Sequence, residues 1–318
     1  MQTINIKKND QNIRLDNFIR KMFPNLSLGQ IFKAIKIGKI KVNNKKAKFN
    51  YRLKLNDVIK CYIQDIYYTN NEKLFLLAKN DLQIVYEDNN ILVVNKPPKL
   101  LSQDENNKIA DTLINRAKKY LFLAKKWQPE LENQFQPCLV HRLDFNTMGL
   151  IIIAKNRNSA VILSQKIKNR EIDKYYVCLV YGKMEKKHDV LNAYLIRNHN
   201  KNFSTIVEKP LEKAKPIKTK YKVLKYDKNK NISQLEIKLL TGRTHQIRAH
   251  LAYIGHPLVG EHKYKNKNIK FDLTNYKHQT LISYKIRFTF KTNANTLNYL
   301  KNKTIELKSI NFKNDFTY

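Results

Sequence analysis

The stretch Cys138-Leu139-Val140-His141-Arg142-Leu143-Asp144-Phe145-Asn146-Thr147-Met148-Gly149-Leu150-Ile151-Ile152-Ile153-Ala154-Lys155 sets two apolar runs around a polar centre. Leu150 to Ala154 is short, rich in β-branched residues and bounded by Gly149, which predicts a buried strand. Cys138 to Val140 reads as the end of another. His141, Arg142 and Asp144 then fall on a connection held by two core strands. A carboxylate there is partly desolvated, rigidly aimed and beside a cation, which suits a nucleophile or general base. An Arg–Asp pair that only pins a turn fits the spacing equally well.

Working outward, the chain has 318 residues, 42% of them apolar, enough for two domains and one sizeable core. Its 61 Lys and Arg against 26 Asp and Glu leave a net charge of +35. Such an excess is the footprint of a polyanion, either nucleic acid or an anionic membrane. No apolar run approaches the roughly 20 residues needed to span a bilayer. The start, Met1 to Lys8, has no apolar signal core. These features predict a cytoplasmic protein that binds nucleic acid and has no membrane segment. Cys61, Cys138 and Cys178 are dispersed and without metal spacing, so they read as free, buried thiols.

Ile13 to Met22 carries a helical stripe of Leu15, Phe18, Ile19 and Met22, with Pro24 ending it. Ser27-Leu28-Gly29-Gln30 is a capping box for a second helix that buries Leu28, Ile31 and Ile35 and shows Lys33 and Lys36. Gly38 is placed to end that helix in a left-handed conformation. Ile40 and Val42 alternate with Lys39 and Lys41, and Asn43-Asn44 turns the chain into Lys45 and Lys46. Two small helices and a hairpin with lysines on one side suit a grip on RNA phosphates. Further on, Ile84 to Asp88 and Ile91 to Val94 read as strands. Residues 104–136 read as a helical, peripheral cover. Ala160 to Ile167 reads as a helix packed on the sheet and Lys174 to Gly182 as a strand. Residues 183–216 read as lysine-rich surface loops. Tyr221 to Leu224 and Leu235 to Leu239 are strands, and Gln279 to Phe288 holds the final ones. Ile247, Leu251 and Ile254 form the buried face of a helix stopped by Gly255. Arg243 lies just before that helix, where the macrodipole disfavours a cation, so an anionic partner is expected. His245, His250 and His256 do not have the spacing of a zinc site.

His-Arg-Leu-Asp followed by Thr-x-Gly and a strand ending Ala-Lys resembles the signature motif of RluA-type pseudouridine synthases. Met148 stands where that motif usually has Ser. Asn95-Lys96-Pro97-Pro98 resembles the family's entry strand, although Lys99 stands near the position of a usual Gly. Lys174 to Gly182 resembles the second motif, and Thr241 to Gly260 the third. Residues 12–63 resemble the RNA-binding domain named after small-subunit ribosomal protein four. Together they look closest to the RluC-like subgroup, which acts on large-subunit rRNA.

The resemblance implies an α+β fold. It has a mixed, mostly antiparallel β-sheet catalytic core with flanking helices at 81–318, a linker at 64–80 and an S4-like α/β module at 12–63. It makes Asp144, Tyr176 and Arg243 catalytic, with Arg243 paired to Asp144. Arg142, His141, Lys33, Lys36, Lys39, Lys41, Lys45, Lys46, Gln246 and Arg248 become the expected RNA contacts. No metal and no cofactor are expected, and the protein is expected to be a monomer. A tRNA-modifying relative and a catalytically silent assembly factor are the rival readings. A metal-dependent nuclease would need several clustered carboxylates.

Overall fold

The computed structural model describes residues 2–23, 26–63, 74–105, 108–129, 135–264, 276–312 and 316–317. Pro24 and most of the expected linker lie outside these residues.

The N-terminal module is built as the residue pattern demands. Helix α1 (Leu15–Met22) buries Leu15, Phe18, Ile19 and Met22. Helix α2 (Leu28–Lys36) starts on the expected box: the Gln30 amide donates to Ser27 Oγ at 3.3 Å and the Ser27 amide to Gln30 Oε1 at 2.8 Å. Gly38 ends it at φ 80. Strands β1 (Gln2–Asn5), β2 (Ile40–Val42), β3 (Lys45–Lys46) and β4 (Val58–Cys61) form a sheet in the order β1-β4-β2-β3. Asn43 and Asn44 take positive φ, the geometry that a two-residue hairpin turn requires. Ile4 and Ile6 pack with α1 and α2, so the module's core draws on residues before 12. Leu28 departs from expectation: it is exposed, because Ile31 and Ile35 alone fill the strip facing α1.

The body is an eleven-stranded sheet. Its elements are β5 (Gln83–Glu87), β6 (Ile91–Lys96), α3 (Leu113–Leu123), β7 (Cys138–Leu139), β8 (Met148–Ala154), α4 (Arg157–Lys168), β9 (Ile172–Tyr181), β10 (His188–Asn198), β11 (Phe203–Val207), β12 (Lys215–Asp227), β13 (Ile232–Leu239), α5 (Gln246–Tyr253), β14 (Leu281–Phe288) and β15 (Thr304–Glu306). The main order is β11-β10-β12-β13-β9-β14-β8-β6-β5. Only β14 with β8 runs parallel; every other pairing is antiparallel. The fold is therefore the expected α+β arrangement.

Two expectations change. Residues 183–216 are not surface loops, since β10 and β11 extend the sheet through them. Their apolar positions Ala193, Leu195 and Ile206 are spaced by strand alternation and pack under α5. The segment 104–136 is not peripheral either: Leu113, Ile114, Ala117 and Leu121 of α3 join Leu92, Val94 and Ile151 in the principal core. On the opposite face, α4 packs Ile162 and Leu163 on Leu150 and Ile152. The module touches the body at the start of α4, where the Arg157 amide donates to Asn9 Oδ1 at 3.1 Å. Among the described residues no helix is long and apolar enough to cross a membrane. Cys61, Cys138 and Cys178 are free.

Candidate active site

Asp144 lies on the connection from β7 to β8, the two core strands expected to hold it. Buried polar groups fix this loop. The Lys96 ammonium, fully buried, donates to the carbonyls of Pro97 and Leu100 at 2.8 Å and of Phe145 at 2.9 Å. Ser102 Oγ donates to the Leu143 carbonyl and accepts from the Leu143 amide. Gln279 Nε2 donates to Thr147 Oγ1 at 2.9 Å. Lys99 itself takes the left-handed conformation, φ 59, where a glycine would be easiest. Gly149 cannot be replaced so simply. Its φ is 112, and a Cβ would sit 2.2 Å from the Ser283 carbonyl oxygen where β8 meets β14.

The guanidinium that reaches Asp144 belongs to Arg248. Its Nη1 donates to Asp144 Oδ2 at 2.9 Å, while Nε and Nη2 donate to the two Glu261 oxygens at 2.8 Å each. The Glu261 fork leaves Nη1 as the donor aimed at the Asp144 loop. Side-chain exposures of 9% for Arg248, 0% for Glu261 and 23% for Asp144 mark the last as the one member solvent or substrate can reach. Burial alone would weaken the guanidinium, but Glu261 and Asp144 outweigh it and raise its pKa above the ordinary value. Burial pushes the Glu261 carboxyl up; Arg248 more than cancels this and holds it below its usual range.

The expected Arg243–Asp144 pair is therefore wrong. Arg243 precedes α5 in an exposed turn, whereas Arg248 sits in the first turn of the helix with its side chain buried. Arg248 and Gln246, both expected as RNA contacts, are buried and engaged within the protein. Gln246 is buried, its Oε1 accepting from the Arg243 amide and Thr241 Oγ1 and its Nε2 donating to the Lys218 carbonyl and Thr219. That clamp shapes the entry to α5. His141 is likewise turned inward: its Nε2 accepts from the Ile152 amide at 3.3 Å, and burial drives its pKa well down, so it is a neutral structural ring.

Two groups beside Asp144 escaped the sequence reading. Glu261 follows Gly260 and carried no signal beyond being an acid near the end of the third motif. His245 adopts φ 56 at the start of α5, and its Nε2 lies 3.8 Å from Asp144 Oδ2. Burial lowers its pKa to about 4, against the opposing pull of Asp144, so the ring is neutral at physiological pH. The Tyr264 hydroxyl accepts from the Ser204 amide and lies 2.8 Å from His245 Nδ1. A hydroxyl that already accepts can donate to Nδ1, and the ring proton then sits on Nε2, facing Asp144. The three histidines are thus spent singly: His250 Nδ1 on Thr219 and His256 Nδ1 on the Tyr181 carbonyl.

Tyr176, on β9, lies in the principal core opposite Ser283. Burial pushes its phenol well above the ordinary value and the charge of Asp144 adds to this, so it stays protonated and can offer a ring face but not a base. The Arg142 side chain is 54% exposed and pairs with the exposed Glu105 at 2.7 Å. Lys33, Lys36, Lys39, Lys45 and Lys46 are exposed on the N-terminal module, and Lys41 is half-buried against the Tyr62 ring.

A partly accessible carboxylate braced by a buried guanidinium, together with a basic N-terminal module, fits an enzyme acting on RNA. The family model described as RNA pseudouridylate synthase matches residues 90–253, and the S4 domain model matches residues 13–59. The chain belongs to the RNA pseudouridylate synthase family, whose members isomerise uridine to pseudouridine. It is similar to an uncharacterized RNA pseudouridine synthase of Mycoplasma capricolum, 36% identical over 94% of this chain and 95% of that one. It is also similar to ribosomal large subunit pseudouridine synthase C of Buchnera aphidicola, 31% identical over 94% and 92%. The solved structure of human RNA pseudouridylate synthase domain containing 1 shares the fold, with a TM-score of 0.54 and 24% identity over 73% of this chain and 92% of that one.

Proposed function

We propose that this chain converts particular uridines of large-subunit ribosomal RNA to pseudouridine, with Asp144 as the attacking carboxylate. The observation that carries the reading is the Arg248 guanidinium, locked by Glu261 and aimed at Asp144, the accessible one of its two carboxylate partners. The isomerisation breaks the bond from ribose C1′ to uracil N1 and makes one from C1′ to C5, moving the C5 proton to N1. Asp144 can add to the ring, attack C1′ or take a proton from the sugar; each route uses its ionised form, which Arg248 orients. Tyr176 supplies a flat wall for the base. The neutral His245 supplies a proton donor close to the carboxylate.

A base within a helix must first leave its stack, at a cost of a few kcal/mol. Arg142, exposed on the rim two residues from Asp144, is placed to fill the gap. The S4-like module at 12–63, joined through 64–80 to the catalytic body at 81–318, grips RNA phosphates with Lys33, Lys36, Lys39, Lys41, Lys45 and Lys46. The relatives named for the large ribosomal subunit favour rRNA over tRNA. The presence of both Asp144 and its brace speaks against a silent assembly factor. The mechanism asks for no metal or cofactor, and the enzyme is proposed to act in the cytoplasm as a monomer.

The test is Asp144→Asn. Carbodiimide treatment and primer extension on rRNA from a deletion strain should show stops restored by the wild-type enzyme and absent with the variant, with RNA affinity within a few-fold. Equal stops from both proteins would overturn the role of Asp144.

A further inference from the structure

Three cations meet on the catalytic face with no acid among them. Arg170 follows α4, Lys174 lies on β9, and Arg243 lies in the turn before α5. The first two converge on Gly242: Arg170 Nη1 and Lys174 Nζ lie 3.8 and 3.9 Å from the point its Cβ would occupy. Arg243 is the next residue. Among the described residues, none of these three side chains has a carboxylate within ion-pair distance. The neighbouring Asp173 is taken by Lys238 at 2.6 Å, and strand alternation sends it to the other face of β9.

The cluster adjoins the site. Lys174 and Tyr176 are two residues apart on one strand face, roughly 7 Å, and Tyr176 feels the charge of Asp144. Lys174 also acts on His141, three residues before Asp144. Burial lowers the pKa of Lys174 to about 8, with the Arg170 charge adding to the effect. Burial and then the Arg243 charge lower that of Arg170. Folding has gathered charges that repel one another and are partly stripped of water. That arrangement costs stability and gains nothing inside the free protein, so it points to an anion supplied from outside. Two guanidiniums and an ammonium around a glycine match a phosphate, whose oxygens accept from several directions.

We propose that Arg170, Lys174 and Arg243 seat a backbone phosphate of the RNA immediately beside the uridine held at Asp144; this rests on the reading of the site as a pseudouridine synthase. The seat registers the strand and not the base, so it positions any uridine whose neighbour carries an ordinary phosphodiester.

The experiment uses the full-length protein with Asp144→Asn, so that binding is read without turnover, and an RNA hairpin of about 20 nucleotides cut from large-subunit rRNA around a modified uridine. Each linkage flanking that uridine is replaced in turn by an uncharged methylphosphonate. One linkage should weaken binding about tenfold. The same substitution should have less than a twofold effect once Arg170→Gln, Lys174→Gln and Arg243→Gln are added. The triple variant should also lose about 0.7 from the slope of log affinity against log salt, the loss for one phosphate on a single strand. Its thermal midpoint should stay the same or rise, because repulsion has been removed; a purely structural cluster would lower it. Equal methylphosphonate effects in both proteins, or an unchanged salt slope, would overturn the seat. A hairpin that is bound but never isomerised by the wild type would count against the synthase reading alone, since the seat is read on binding.

Discussion

Arg248 and Arg243 stand five residues apart at either end of one turn, and they are used in opposite ways. Arg248 is buried and spends its guanidinium on Glu261 and Asp144. Arg243 is exposed and close enough to Arg170 to act on it, and among the described residues no carboxylate lies within ion-pair distance of it. A buried cation with two carboxylates is a fixed part of the fold and positions one atom. A cation among cations is unfinished until something negative arrives. On the proposed reading, the difference separates the groups that hold the chemistry from the groups that hold the substrate.

The largest test of that contrast is Arg248→Met. It leaves Glu261 fully buried and unpaired, so unfolding in urea should show a loss of about 3–5 kcal/mol. Turnover should fall by three orders of magnitude or more, because Asp144 loses the guanidinium that hydrogen-bonds to it. Adding Glu261→Leu should return most of the stability and none of the activity, since the pair can be replaced as packing but not as a director of Asp144. Arg243→Met, by contrast, should leave stability unchanged within about 0.5 kcal/mol. A large destabilisation by Arg243→Met would erase the distinction.

How far the sequence could reach follows the same line. The strands around Asp144 were legible because an apolar run bounded by Gly149 has few alternatives, and the box at Ser27 was legible because a cap is a local interaction. The partner of Asp144 was not. Arg243 and Arg248 are both near the helix start, and the macrodipole argument applied to the first applies as well to the second. What decides between them is Glu261, thirteen residues later, whose proximity is a tertiary fact. Residues 183–216 misled for another reason: the lysines between the strands, Lys183, Lys186, Lys187, Lys201, Lys209 and Lys213, draw the eye to loops and away from an alternation in which Leu195, Ile206 and, in β12, Ile217 point inward.

A smaller effect is expected from acid. His245 and His250 are held neutral with pKa values near 4 by burial, whereas an unfolded histidine titrates near 6.5. Between those values the unfolded chain binds more protons, so stability is fully present above about pH 6.5 and is lost as pH falls toward 4. Each buried ring can contribute up to about 1.4 kcal/mol per pH unit across that window. Urea unfolding at pH 7 and pH 5 should show the loss, and His250→Gln should shrink it. The N-terminal module has no histidine, so the loss should be read from probes in the catalytic body. An equal fall in a probe at Tyr51 would mean that the two parts unfold together.

The smallest expected effect concerns the lysines of that module. Lys33, Lys36, Lys39, Lys45 and Lys46 are exposed, and among the described residues they have no acidic partners whose loss would complicate the reading. Neutralising one that touches RNA should lower the salt slope by about 0.7–0.9 and weaken affinity alike for modified and unmodified rRNA fragments. Neutralising Arg243 should also lower the slope but act more strongly on the fragment that carries the target uridine. On the proposed reading, module lysines set how long the enzyme stays on RNA, whereas the cluster at Gly242 sets where the strand lies relative to Asp144. Titrations of Lys33→Gln, Lys45→Gln and Arg243→Gln at three salt concentrations separate the two. If the lysine variants also discriminate between fragments, the module reads more than phosphate charge, and the division between gripping and registering fails.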